Sequence, residues 1–334
     1  MSDVPNDIVL YHYTFSPYAR RIVWYLQLRG IPYAQCLQPA ILPRLDLEAL
    51  NVNYRRIPIL SIGRDFYCDT RLILRKLDSK FPPGLSSDDP NLKALERLLE
   101  RWTVDAGIFG RAVQLIPTDL PNMRDPKFHK DREAFSGRIG GWDKEKMEKA
   151  RPEAVVHIRD AFELMESTLL ADGRDWVFKT EKPSMGDIEA VWPFHWLTDM
   201  PGALPDTISD RQFPKVFAWL DRFRNAVAQA KESGPKPVTL KGKDVVEYMK
   251  TAQLVESSGE IDVNDPLGLK AGDEVEVWPI ETGFTHRDRG KLVTLTPNEV
   301  VVSKHTRHGN KEIHVHCQRW GFRVAKVEAE TSKI

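Results

Sequence analysis

Apolar positions along the chain change their period several times, and each change marks an element. Ile8-Val9-Leu10-Tyr11 is an unbroken apolar run with β-branched members, the pattern of a buried strand. Thr14-Phe15-Ser16-Pro17 breaks it. Ser16 followed by Pro17 supplies a hydroxyl cap and a proline at the first helical position. From Tyr18 to Arg29 the residues Ile22, Val23, Trp24, Tyr25, Leu26 and Leu28 recur at helical spacing, and Gly30 closes the helix. Ile31 to Leu37 predicts a second strand. Arg55-Arg56-Ile57-Pro58-Ile59-Leu60 predicts a third, entered through a proline that removes a ladder donor. That proline reads either as an ordinary edge-strand residue or as a cis residue turning the Ile57 backbone towards a ligand. A hairpin at Ile62-Gly63-Arg64-Asp65 follows. Asp69-Thr70 then opens a helical run from Leu72 to Phe81.

Prolines, glycine and small polar residues from Phe81 to Pro90 form a linker. Beyond it the period is helical. Leu92, Leu95, Leu98, Leu99, Trp102 and Ala106 make one stripe, so Asn91 to Ile116 is predicted helical. Pro117 to Gly141 is polar and long for a connection, a candidate cover for a site. Lys144 to Ala171 is a second long helix. Ser184 followed by Asp187 forms a capping box ahead of an apolar helix. Phe213 to Ala230 is one more helix, and Ser233-Gly234-Pro235-Lys236-Pro237 is a second linker. Lys243 to Leu254 is a short helical run.

From Gly272 the period drops to two, in Glu274 to Trp278, around Val300-Val301-Val302, and in Glu312 to His316. Gly321 to Val324 is a last short strand. Short strands at this density predict a small antiparallel barrel of SH3-like size. The expected fold is therefore α/β, then all-α, then small all-β, with units at 1–84, 85–235 and 241–334.

Composition narrows the function. The chain has 334 residues, with 48 basic and 48 acidic side chains. It has neither a basic field for nucleic acid nor a polyanionic character. No apolar run reaches membrane-spanning length, so neither nucleic acid nor membrane is expected as a partner. Three scattered cysteines argue against a disulfide framework and for a reducing compartment, the cytoplasm. The terminal Ser332-Lys333-Ile334 is close to a peroxisomal address, but a polar, frayed end is the preferred reading. Five of the nine histidines lie beyond residue 241. His314 and His316 share a strand face. With no carboxylate or cysteine at a telling spacing, an exposed face is expected and no metal.

Ser16-Pro17-Tyr18, Arg56-Ile57-Pro58-Ile59-Leu60, Asp69-Thr70 and the Ser184–Asp187 capping box occur in that order. Together they resemble the serine-type cytosolic glutathione transferases over residues 7–230. The resemblance implies a thioredoxin-like first domain, a helical second domain and glutathione as co-substrate. It gives Ser16 the role of thiolate donor. Ile57, presented by Pro58, would pair with the cysteinyl backbone. Thr70 would hold the γ-glutamyl carboxylate and Asp69 the ammonium, where many members have Glu-Ser. Arg56 is a candidate for the glycyl carboxylate, or a solvated charge. Tyr13, Phe15, Trp102 and Phe109 are candidates for the wall facing a small-molecule electrophile, with core packing as the other reading of Trp102. Tyr13 is a reserve contact for the sulfur, whereas Tyr11 is expected in the core. The absence of cysteine at position 16 argues against the disulfide-forming classes.

The expected activity is conjugation of glutathione to an electrophile, or glutathione-assisted isomerisation or elimination. A homodimer is the oligomeric expectation. The alternative is a non-catalytic adaptor that recruits a partner through the C-terminal strands, since fold does not fix function. A metal-dependent role for the C-terminal histidines is a third reading.

Overall fold

The computed structural model describes residues 4–138, 141–256 and 259–327. The terminal Ser-Lys-Ile lies outside them. The chain opens with β1 (Ile8–His12), α1 (Pro17–Leu28), β2 (Ala34–Leu37), the short α2 (Leu45–Ala49), β3 (Ile59–Ile62), β4 (Asp65–Cys68) and α3 (Thr70–Lys80). β1 runs parallel to β2 and antiparallel to β3, and β3 is antiparallel to β4. This is the expected thioredoxin-like unit. Its strands are mostly apolar because both faces are covered, with Ser61 and Asp65 among the buried polar exceptions. Ile8 and Leu10 enter a core shared with the helices, while Val9 and Tyr11 enter a second core on the opposite face.

The helical region comprises α4 (Pro90–Val104), α5 (Ile108–Val113), α6 (Pro126–Ser136), α7 (Lys144–Leu164), α8 (Met185–Thr198) and α9 (Pro214–Ser233). Gly107, at φ +87°, splits the single helix predicted over Asn91 to Ile116 into α4 and α5. The segment read as a polar connection contains α6. Asp131 on that helix pairs with Arg55 at 3.0 Å and accepts the Leu42 N–H, docking α6 on the first domain. α8 is buried almost all round. Its capping box is formed, with the Ser184 N–H donating to Asp187 at 2.9 Å. Asp187 also accepts from Val177 N–H and from Trp219 Nε1, each at 2.9 Å. One buried carboxylate thus satisfies donors from three segments.

The rest of the chain comprises β5 (Val238–Leu240), α10 (Gly242–Thr251), β6 (Glu274–Pro279), β7 (Asp288–Leu295), β8 (Glu299–His305), β9 (Glu312–Gln318) and β10 (Phe322–Lys326). β6 to β10 are antiparallel neighbours, with β10 returning beside β6. This is the small antiparallel β region expected, with β7 added. It does not stand apart, however. β9 lies parallel to β4, and β5 adds to the far edge beside β2, so one ten-stranded sheet runs through both regions. The second core continues from Val9 and Cys36 to Val302 and Val315. Burial of apolar surface at this seam, at roughly 25 cal/mol per Å², explains why the C-terminal strands adhere. The β4 edge, which would otherwise present unpaired backbone groups, is covered.

The seam also overturns one expectation. The face carrying His314 and His316 is not exposed: the two residues are 6% and 2% accessible. Side chains from neighbouring strands pack over it, with Asp65, Glu299 and the Tyr67 ring against His316.

Candidate functional site

Strand register brings the predicted residues to one end of the first sheet. Tyr11 pairs with Ile59, and Ile59 with Cys68. Tyr13 therefore follows β1 at the end where Ile57 and Pro58 enter β3 and where Asp69 and Thr70 leave β4. The N-termini of α1 and α3 rise from the same end. The Ile57–Pro58 bond is cis.

Ser16 caps α1. Its Oγ accepts the Ala19 N–H at 3.2 Å, and the residue is 1% accessible. Among the described residues its hydroxyl proton meets no acceptor, so that proton is free for a ligand. Asp69 caps α3 at φ +77°, ψ +131°, a conformation rare for a side chain with a Cβ. Arg71 fixes it there: its Nε and Nη2 donate to the two Asp69 oxygens at 3.0 and 3.1 Å. Burial pushes the Asp69 carboxyl up, but the Arg71 guanidinium, helped by Arg56, overrides this and holds it down at about 2. Asp69 is therefore an anion at neutral pH.

Thr70 Oγ1 accepts from the buried Arg21 at 2.7 Å, which leaves its own proton to donate. Arg21 in turn contacts Glu189 of α8. Arg56 turns towards the C-terminal region: its Nε donates to the Thr282 carbonyl at 3.0 Å, and Nη2 lies 3.7 Å from Glu281. Its Nη1 is 3.9 Å from Asp69. Nη2 is buried and, among the described residues, has no hydrogen-bond partner.

The candidate apolar wall divides. Tyr13 and Phe15 pair with ring centroids 4.7 Å apart, and Phe15 is 49% exposed. Phe109 packs against Tyr18 at 4.8 Å and Trp192 at 5.0 Å. Trp102 lies 6.0 Å from Phe194 of α8, a packing contact. Tyr11 is fully buried beside Phe66, as expected of a core residue.

Sequence reasoning missed Arg21 and Arg71. The two arginines sit in helices like any solvated arginine, and nothing local marks them as buried. It also missed Asp105, which accepts from Arg71 at 2.9 Å and from Trp320 Nε1 at 2.9 Å. That relay ties the Asp69 corner to the turn before β10. Arg101 lies over the Trp320 ring, 4.1 Å from its centroid. A cavity of about 430 Å³ opens beside this contact, lined by Arg75, Arg97, Glu100, Arg101, Arg319 and Trp320 among others. None of the predicted glutathione contacts lines it.

Parts of this chain resemble known proteins. Residues 10–85 match the family described as "Glutathione S-transferase, N-terminal domain". Residues 111–232 match "Domain of unknown function (DUF7962)". The chain's first domain thus carries the glutathione S-transferase N-terminal domain. A curated relative, a probable glutathione S-transferase from Solanum tuberosum, is 26% identical over 102 residues, which is 30% of this chain and 47% of the relative. The chain thus spans about half the length of that relative. Among solved structures, a GST-like protein from Pseudomonas syringae superposes with a TM-score of 0.69 at 24% identity, covering 96% of this chain and 100% of its own. Beta-etherase LigF from Sphingobium sp. strain SYK-6 gives a TM-score of 0.54 at 18% identity, covering 68% of this chain and all of its own. These likenesses show a common fold, and the first extends into the C-terminal strands.

Proposed function

We propose that this protein is a glutathione-dependent transferase whose Ser16 hydroxyl holds the glutathione sulfur as a thiolate. The observation that carries the reading is the convergence of two capped helix N-termini, Ser16 and Asp69–Thr70, beside the cis Ile57–Pro58 bond. Helix N-termini favour anions. A free thiol has a pKa of about 8.5, so little is ionised at neutral pH, and a hydroxyl donor beside a helix N-terminus stabilises the anion. The donors present fit a tripeptide with two carboxylates and one ammonium. Thr70 has a proton to give to the γ-glutamyl carboxylate, Asp69 offers an anion to the ammonium, and the Nη2 of Arg56, which makes no hydrogen bond among the described residues, suits the glycyl carboxylate. The Ile57 backbone would pair with the cysteinyl residue.

The sulfur lone pair forms the new C–S bond. Either a leaving group departs with its electrons, or a conjugated bond takes up the charge and then a proton. Tyr13, Phe15 and Phe109 are proposed to face the electrophile, with Trp102 behind them. The test compares wild type with Ser16→Ala for retention on immobilised glutathione and for turnover with a panel of electrophiles. Loss of one such donor costs roughly 10²-fold in turnover, with retention kept. An adaptor would show neither retention nor turnover, and Ser16→Ala would change nothing.

A further inference from the structure

The seam between β4 and β9 carries polar side chains that packing does not require. Asp65 stands opposite His314 in the strand register, and His316 stands opposite Tyr67. All three polar residues are buried. His316 Nε2 lies 2.9 Å and His314 Nδ1 3.5 Å from the same Asp65 Oδ1. The three donor atoms fall within 4.8 Å of one another.

Hydrogen bonds back His316 and Asp65 from behind, and a more distant carboxylate faces His314. His316 Nδ1 is 2.7 Å from Glu299, and His314 Nε2 is 3.8 Å from Glu312. Asp65 Oδ2 accepts the Val255 N–H at 2.6 Å. Histidines whose far nitrogen meets a carboxylate are the usual support of a metal centre. A cavity of about 210 Å³ opens onto His314 and His316, with room for water.

The charges point the same way. Asp65, Glu256, Glu299 and Glu312 bring four carboxylates to the cluster. Lys76 answers two of them, at 2.6 Å from Glu256 and 2.9 Å from Glu299. A neutral imidazole has one N–H, yet His316 meets a carboxylate at both nitrogens. A cation between Asp65 Oδ1 and the two rings would take the His316 Nε2 lone pair. The Nδ1–H could then donate to Glu299, and the excess of negative charge would fall.

We propose that Asp65, His314 and His316 bind one divalent transition-metal ion, with water from the adjoining cavity completing its coordination. Two imidazole nitrogens and one carboxylate oxygen suit Zn²⁺, Co²⁺ or Ni²⁺ better than Mg²⁺ or Ca²⁺. The histidines alone did not reveal the site, because the carboxylate comes from another strand, 251 residues before His316. The metal would pin the C-terminal strands to the first sheet.

The test uses the full chain without a histidine tag, stripped with a chelator and titrated with Co²⁺ and then Zn²⁺, followed by visible absorption and calorimetry. One equivalent of Co²⁺ should bind with a ligand-field band, and Zn²⁺ should displace it. Glu299→Gln should weaken binding about 10- to 100-fold, as loss of a backing carboxylate does. His314→Gln and Asp65→Asn should weaken it more, with circular dichroism reporting whether each variant is folded. If Asp65→Asn does not fold, His314→Gln and Glu299→Gln carry the comparison. Folded wild type that takes up no metal overturns the proposal and leaves the cluster an imidazolium clasp. Binding that His314→Gln leaves unchanged overturns it equally.

Discussion

Strand β4 is held at its two ends by buried aspartates of opposite origin. Asp69, just past its end, is answered by Arg71, two residues on. Asp65, at its start, is answered by His314 and His316 from β9 and by the Val255 N–H. The first arrangement is local. It shapes a helix N-terminus and leaves donors facing outward. The second is made wholly by distant chain and joins two regions of the molecule. A buried carboxylate must find donors, and where they come from decides whether it serves a ligand corner or a seam.

The sharpest way to break this comparison is to remove each carboxylate in turn. Asp65→Ala strands two buried histidines and a backbone N–H. It should cost about 3–5 kcal/mol, as removal of one partner of a buried pair does. Asp69→Ala loses a helix cap and one side of the Arg71 clamp, but Arg71 keeps Asp105. Its cost should be nearer 2–3 kcal/mol. Shifts in the denaturation midpoint measure both, and equal losses would dissolve the distinction.

Acid titration sharpens the Asp69 end. Its carboxyl is held at about 2 in the folded chain, against about 4 when unfolded. The stabilisation is therefore complete above pH 4 and is lost as pH falls from about 4 to 2. Over that window Asp69→Asn should lose about 2 kcal/mol less stability than wild type. An unchanged slope in the variant would contradict the Arg71 clamp. Ser16→Ala should have the smallest effect on folding, about 1 kcal/mol, the worth of one N-cap.

The sequence made the Asp69 end legible for the same reason that it is local. Ser16-Pro17, Ile57-Pro58 and Asp69-Thr70 each sit where an element starts, and helix starts and strand entries have residue signatures. The capping box at Ser184–Asp187 was readable likewise. Pairings between distant strands leave no such mark. Nothing in Glu312 to His316 says that its neighbour is β4, so its histidines looked exposed. Val238–Leu240 is too short to announce an edge strand. Arg21 and Arg71 resemble surface arginines until Thr70, Glu189 and Asp105 are brought to them. The 117–141 segment concealed α6 because that helix buries little and shows no apolar stripe.

The central claim is that the first domain captures glutathione and ionises its sulfur at Ser16. Thiolate absorbance of glutathione bound at neutral pH, read in wild type and Ser16→Ala, tests it most directly. The account predicts a thiolate band in wild type and its loss in a variant that still binds the tripeptide. A band of equal strength in both proteins, or none in wild type, would contradict it.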